Sequence, residues 1–231
     1  MAYNIEQGIA KFLKISKEYY LDRDGMIKPE PTREQVIENY PWVFFGKANS
    51  MPCFLRHALY FDAFGFIPEY CAKNCWKTII KPYTLSDLFR VNDYLKESGV
   101  EAKCGIDARQ FSFGIYLGAI YSKTHSEAKV KEDDASSTLV GLDVFTKKGC
   151  TEFENRLSSK YWNITDAQKE IEEKLCERID HSWHSNFKQP DWQVDKIKTY
   201  WTQSAYAIGD KTWEESPYAD KIQRSRKPAR Y

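Results

Sequence analysis

The chain has 231 residues, 42% of them hydrophobic and 15% aromatic, which is enough to bury a core without a metal and too apolar for disorder along its whole length. Its 34 Lys and Arg against 33 Asp and Glu leave a net charge of +1, which excludes any argument from global charge for nucleic acid or an anionic membrane. The opening Met1-Ala-Tyr-Asn-Ile has no basic segment followed by an apolar run, and the longest apolar stretch, Phe111 to Tyr121, is too short to span a bilayer, so no membrane association and a cytoplasmic, intracellular setting are expected.

In chain order, Ala2 to Tyr20 reads as an amphipathic helix through Ile5, Ile9, Phe12 and Leu13, followed by a turn at Asp22 to Gly25 and a stiff link at Pro29 and Pro31. Residues 1–31 are therefore expected as an N-terminal arm. Thr32 and Gln35 form a capping-box pattern for a short helix to about Tyr40, which Pro41 ends. Pro52 suits the first turn of a helix carrying Cys53, Arg56, His57 and Tyr60, interrupted at Gly65 and Pro68. Lys77 to Lys81 reads as a strand, and Thr84 with Asp87 opens a helix that Gly99 should close. Val100 to Ile106 and Gln110 to Tyr121 are the next strand candidates; in the latter, Gly114 and Gly118 read as packing features. Lys123 to Ser137 is a surface helix or loop, and Leu139 to Phe145 a further strand.

The second half is poorer in branched aliphatics. Thr165 and Gln168 form another capping box, and Ala167, Ile171, Leu175 and Ile179 supply an apolar stripe beside which Cys176 is read as core. From Trp183 to Trp213 tryptophans dominate, and Lys221 to Tyr231 is a basic tail. The fold class expected is α+β, with α/β as its alternative: a small mixed sheet with flanking helices and a helical, irregular, aromatic-rich C-terminal half. The division expected is an arm at 1–31, a cysteine-bearing core at 32–150, a helical region at 151–220 packed on it, and a flexible tail at 221–231.

The most concentrated chemistry is the cysteines. Four of six, Cys53, Cys71, Cys75 and Cys104, fall in one stretch, and Cys71 and Cys75 form a Cys-x3-Cys pair. Intracellular thiols stay reduced, and four thiolates suffice to hold an iron–sulphur cluster or a zinc ion. The reading is an iron–sulphur protein, with a 4Fe-4S cluster on these four residues in an electron-transfer, redox or structural role. Whether it is an enzyme stays open, and no catalytic residue is assigned. His57, four residues after Cys53, and Cys150 are alternative ligands; Trp76 and Arg109 are candidate neighbours of the centre. Arg56, Lys73, Lys77, Lys81, Arg90 and Lys103 form a cationic surround, or else ordinary surface charge. The alternatives are a zinc-stabilised interaction module, with nucleic acid engaged through the basic tail and Trp192, Tyr200, Trp201, Tyr206 and Trp213, and a metal-free structural or binding protein with core cysteines. A redox or protein partner is implied without being identified. Asp180, His181 and His184 are a further set of metal candidates. Phosphate-loop, dinucleotide and nucleophile-elbow motifs are absent from the sequence.

Overall fold

The computed structural model describes residues 4–30, 41–46, 53–108, 112, 114–149, 153, 159–180 and 189–225. In chain order its elements are α1 (Ile5–Ile15), β1 (Tyr19–Leu21), β2 (Ile27–Pro29), β3 (Trp42–Phe45), α2 (Cys53–Arg56), α3 (Glu69–Lys73), β4 (Trp76–Lys81) and α4 (Leu85–Ser98). They continue with β5 (Ala102–Ile106), β6 (Tyr116–Ser122), α5 (His125–Thr138), β7 (Asp143–Lys148), α6 (Asp166–Glu177), α7 (Asp191–Ile208) and α8 (Ala219–Ser225). The α+β class holds, but both sheets are antiparallel throughout rather than mixed. Among the described residues no helix is long and apolar enough to cross a membrane.

The chain groups into two interleaved units rather than consecutive segments. One comprises Met1–Ile37, Lys47–Cys75 and Gly149–Phe187; the other comprises Glu38–Gly46, Trp76–Lys148 and Lys188–Tyr231. The N-terminal region is no arm. Ile9 and Phe12 of α1 share a core with Tyr19, Ile27, Leu55, Leu59, Ile171 and Leu175 of the first unit. Asn4 caps α1 by accepting from the Gln7 N–H at 3.0 Å. Gly8 matters here because a Cβ at that position would overlap the Phe64 ring. After α2 the helix widens into a π-helical stretch, His57–Ala63, which buries Leu59 and Tyr60.

The second unit contains β4-α4-β5-β6-α5-β7, a split β-α-β-β-α-β arrangement. Its sheet order is β3-β5-β6-β4-β7, with β3 added outside β5. Strand alternation sends Val43, Ile80, Cys104, Ile106 and Ile120 to one face. There they meet Leu88, Val91 and Leu95 of α4, Ala135 of α5, and Ile197, Trp201 and Ala205 of α7. The opposite face carries Trp42, Ile79, Leu117 and Ala119, also buried. At Gly118 the missing side chain lets α4 approach, since a Cβ would lie 2.8 Å from Val91 Cγ1. The capping box at Thr84 and the left-handed Gly99 bound α4 as expected. The tail is helical through Ser225, and Ile222 belongs to the core; residues 226–231 lie outside the described residues, as do 32–40 with their expected helix.

Two polar side chains complete this unit. β3 leaves the Trp42 carbonyl and the Phe44 N–H pointing away from β5. Gln189 serves both: its Oε1 accepts from the Phe44 N–H at 2.8 Å, and its Nε2 donates to the Trp42 oxygen at 2.9 Å. One carboxamide thus stands in for a neighbouring strand. Asp210 follows α7 and accepts from the Leu85 N–H at 2.7 Å, the Tyr116 hydroxyl at 2.8 Å and the Thr212 N–H at 3.0 Å. Burial works to raise its carboxyl, but the bonds from Thr212, Tyr116 and Leu85 outweigh it and hold the group below its ordinary value of 3.8.

Replacing Gln189 by Leu should cost about 1–3 kcal/mol, because it removes the partner of the buried Trp42 carbonyl and of the part-buried Phe44 N–H. Denaturant unfolding measures the loss, and light scattering should show increased association through the uncovered edge. Asp210→Asn should likewise destabilise by about 1–3 kcal/mol near neutral pH. A depressed folded-state value contributes stability above the unfolded value and loses it as pH falls through the folded one. The gap between wild type and Asp210→Asn, followed by urea unfolding, should therefore shrink as pH falls below 3.8.

Candidate functional site

The cysteines divide between the two units. Cys71 lies on α3 and Cys75 just beyond its end, before β4, so the pair is not on one continuous helix: Asn74 is already the C-cap. Neither is in a disulfide, and each is 4% exposed. Cys71 packs with Ile67, Ala72 and Phe153, with Phe61, Tyr70 and Tyr161 around them. Phe153 also stacks on His57, with ring centroids 3.9 Å apart and planes 7° apart. His57 and Cys71 therefore share one aromatic neighbour. The Cys75 carbonyl accepts from the Gly149 N–H at 2.7 Å, so the residue preceding Cys150 is bound to the backbone of Cys75.

Cys104 belongs to the second unit. It faces α4 from β5, is fully buried, and is surrounded by the apolar core. Burial there pushes its thiol strongly up, which opposes the thiolate that metal ligation needs. Trp76 is also in the second unit, with its ring 4.7 Å from His125. Cys53 opens α2, but its side chain, like Arg109 and Cys150, lies outside the described residues, as do His181 and His184. Among the described residues no three His, Cys, Asp or Glu side chains gather as a metal-ligating group.

The expected cationic surround is likewise split. Arg56, only 8% exposed, stacks 3.8 Å above the Tyr70 ring in the first unit, where Lys73 pairs with Glu69 at 2.8 Å. In the second unit Lys103 lies 4.1 Å from the Trp42 ring centroid, Lys77 lies 5.7 Å from that of Tyr121, and Arg90 pairs with Asp87 at 3.1 Å. Of the five C-terminal rings, Trp201 and Trp213 are core, and Trp192, Tyr200 and Tyr206 are exposed.

Sequence reasoning missed the polar surroundings of Cys71. Tyr60, Arg56, Glu172 and Cys176 act on one another electrostatically, and Cys71 acts on Tyr60. Burial, more than the Glu172 charge, raises the Tyr60 hydroxyl. Cys176 is exposed rather than core, because Ile171 and Leu175 take the inward positions of α6 and residue 176 lies about 100° round from 175. The charged pattern of α6 offered one signal for a polar face, but not its partner. The chain matches no protein family, no curated protein and no solved structure.

A brief pulse of a thiol reagent, read by mass spectrometry, should label Cys176 at least about 100-fold faster than Cys71, Cys75 or Cys104, which react only through opening. In denaturant the four rates should converge.

Proposed function

We propose that the first unit binds a soft metal centre through thiolates, with Cys71 and Cys75 as its first two ligands and an iron–sulphur cluster as the preferred occupant. The observation that carries this is the pair itself: two buried thiols outside any disulfide, Cys71 on a five-residue helix and Cys75 just past its end, with aromatic rings around Cys71. Such surroundings limit water access, one of the factors that tune a cluster. Two thiolates do not complete a cage. Cys53 and Cys150 are the cysteines proposed to supply the rest, Cys150 because it follows the Gly149 bound to Cys75. Cys104 is left out of this set by its place in the other unit's core. The role proposed is electron transfer, redox sensing or structural support in a reducing, intracellular setting. Zinc in the same cage is the alternative occupant and would make this an interaction module.

A second reading is a metal-free binding or structural protein. It is favoured by the packing of Cys71 against Ile67, Ala72 and Phe153, where a thiol serves as a small apolar residue.

Protein purified without oxygen should be brown, with a broad absorption band near roughly 400 nm and matching iron and sulphide, all reduced in Cys71→Ser and Cys75→Ser. Colourless protein with stoichiometric zinc would move the assignment to zinc. Colourless, metal-free protein from cells supplied with both metals, with a melting temperature indifferent to chelator, would overturn the metal reading.

A further inference from the structure

Helix α3 is five residues long, too short to persist by itself. Its N-cap is Pro68, which contributes no side-chain hydrogen bond. The missing acceptor comes from α6. Glu172 Oε2 accepts from the Glu69 N–H at 2.5 Å, and the same carboxylate receives the Tyr70 N–H. Charged groups line both sides of this contact: Glu69 pairs with Lys73, Asp166 pairs with Lys169 at 3.0 Å, and Lys169 acts across the seam on Glu69. Beneath it, the Arg56 guanidinium stacks on Tyr70 and acts on Glu172 and Cys176. Ile171 and Leu175 meanwhile anchor α6 in the core of the unit. The carboxylate is thus presented from a firmly held helix to one that is not self-supporting.

We infer that Glu172 is a latch on the turn that carries Cys71 and Cys75. With its contact made, α3 is closed and both thiols are buried. With it lost, α3 frays and exposes the two thiols together to thiophilic cations and electrophiles. The latch governs access whether or not a metal is bound, so it does not rest on the metal reading.

The test is site-resolved labelling of the full chain with N-ethylmaleimide, before and after chelation, so that protection by a bound metal is read separately. Glu172→Ala should raise the labelling rates of Cys71 and Cys75 about tenfold, the effect of losing a helix cap. Cys104, in the core of the other unit, should keep its wild-type rate and so reports any global loss of stability. Glu172→Gln, which retains an acceptor oxygen, should fall between. Glu170→Ala, which removes only an exposed pair with Lys174, should match wild type. Unchanged labelling of Cys71 and Cys75 in Glu172→Ala, or a rise only in step with Cys104, would overturn the latch. If Glu172→Ala does not fold, the same criterion applied to Glu172→Gln decides.

Discussion

The second unit depends on the hydrogen-bond ladder of its five-stranded antiparallel sheet. A ladder satisfies backbone groups only between strands, so it dictates which side chains face the helices and leaves two edges to be dealt with. Alternation puts Cys104 inward because Lys103 and Gly105 face the other way. Close approach of α4 is possible where β6 has Gly118, and the edge of β3 is finished by Gln189. Asp210 then ties the start of α4 to β6 through the Leu85 N–H and the Tyr116 hydroxyl. The apolar core and the polar fastenings follow from one geometric requirement.

The first unit is held differently. Among its described residues the only sheet is the pair β1 and β2, three residues each, and distant stretches are joined by side chains and by a backbone bridge. Arg178 bonds the Gly25 carbonyl at 2.7 Å and Glu6 at 2.9 Å, and Ile27 bridges to Ile179. The Glu172 contact with α3 belongs to the same pattern. Short elements fastened by single polar groups open more readily than a continuous ladder.

Local chemistry was legible in the sequence where it is self-contained. The capping boxes at Thr84 and Thr165, the stop at Gly99 and the strand ending at Lys81 all form as read, because each is decided within a few residues. Boundaries set by pairing were not. The last strand begins at Asp143 rather than Leu139, because Leu139 caps α5 and packs into the core while the register with β4 aligns Phe145 with Ile79. The cysteine cluster was legible as a concentration along the chain but not as a place in space. Cys104 belongs to one unit and Cys71 and Cys75 to the other, and spacing alone carries no information about that grouping. Glu172 was invisible as a cap because it lies 103 residues from the N–H it accepts.

The interleaving of the two units bears on synthesis. A ribosome releases the chain in order, yet the first core needs Ile171, Leu175 and Ile179, and the second needs Trp201, Ala205 and Ile222. Neither can close as an early, independent product. The apolar faces of α1 and α2 must wait while more than half the chain emerges, and the sheet must wait for α7. A nascent chain of this design presents apolar surface for most of its translation, which places its folding late and leaves that surface to be shielded meanwhile.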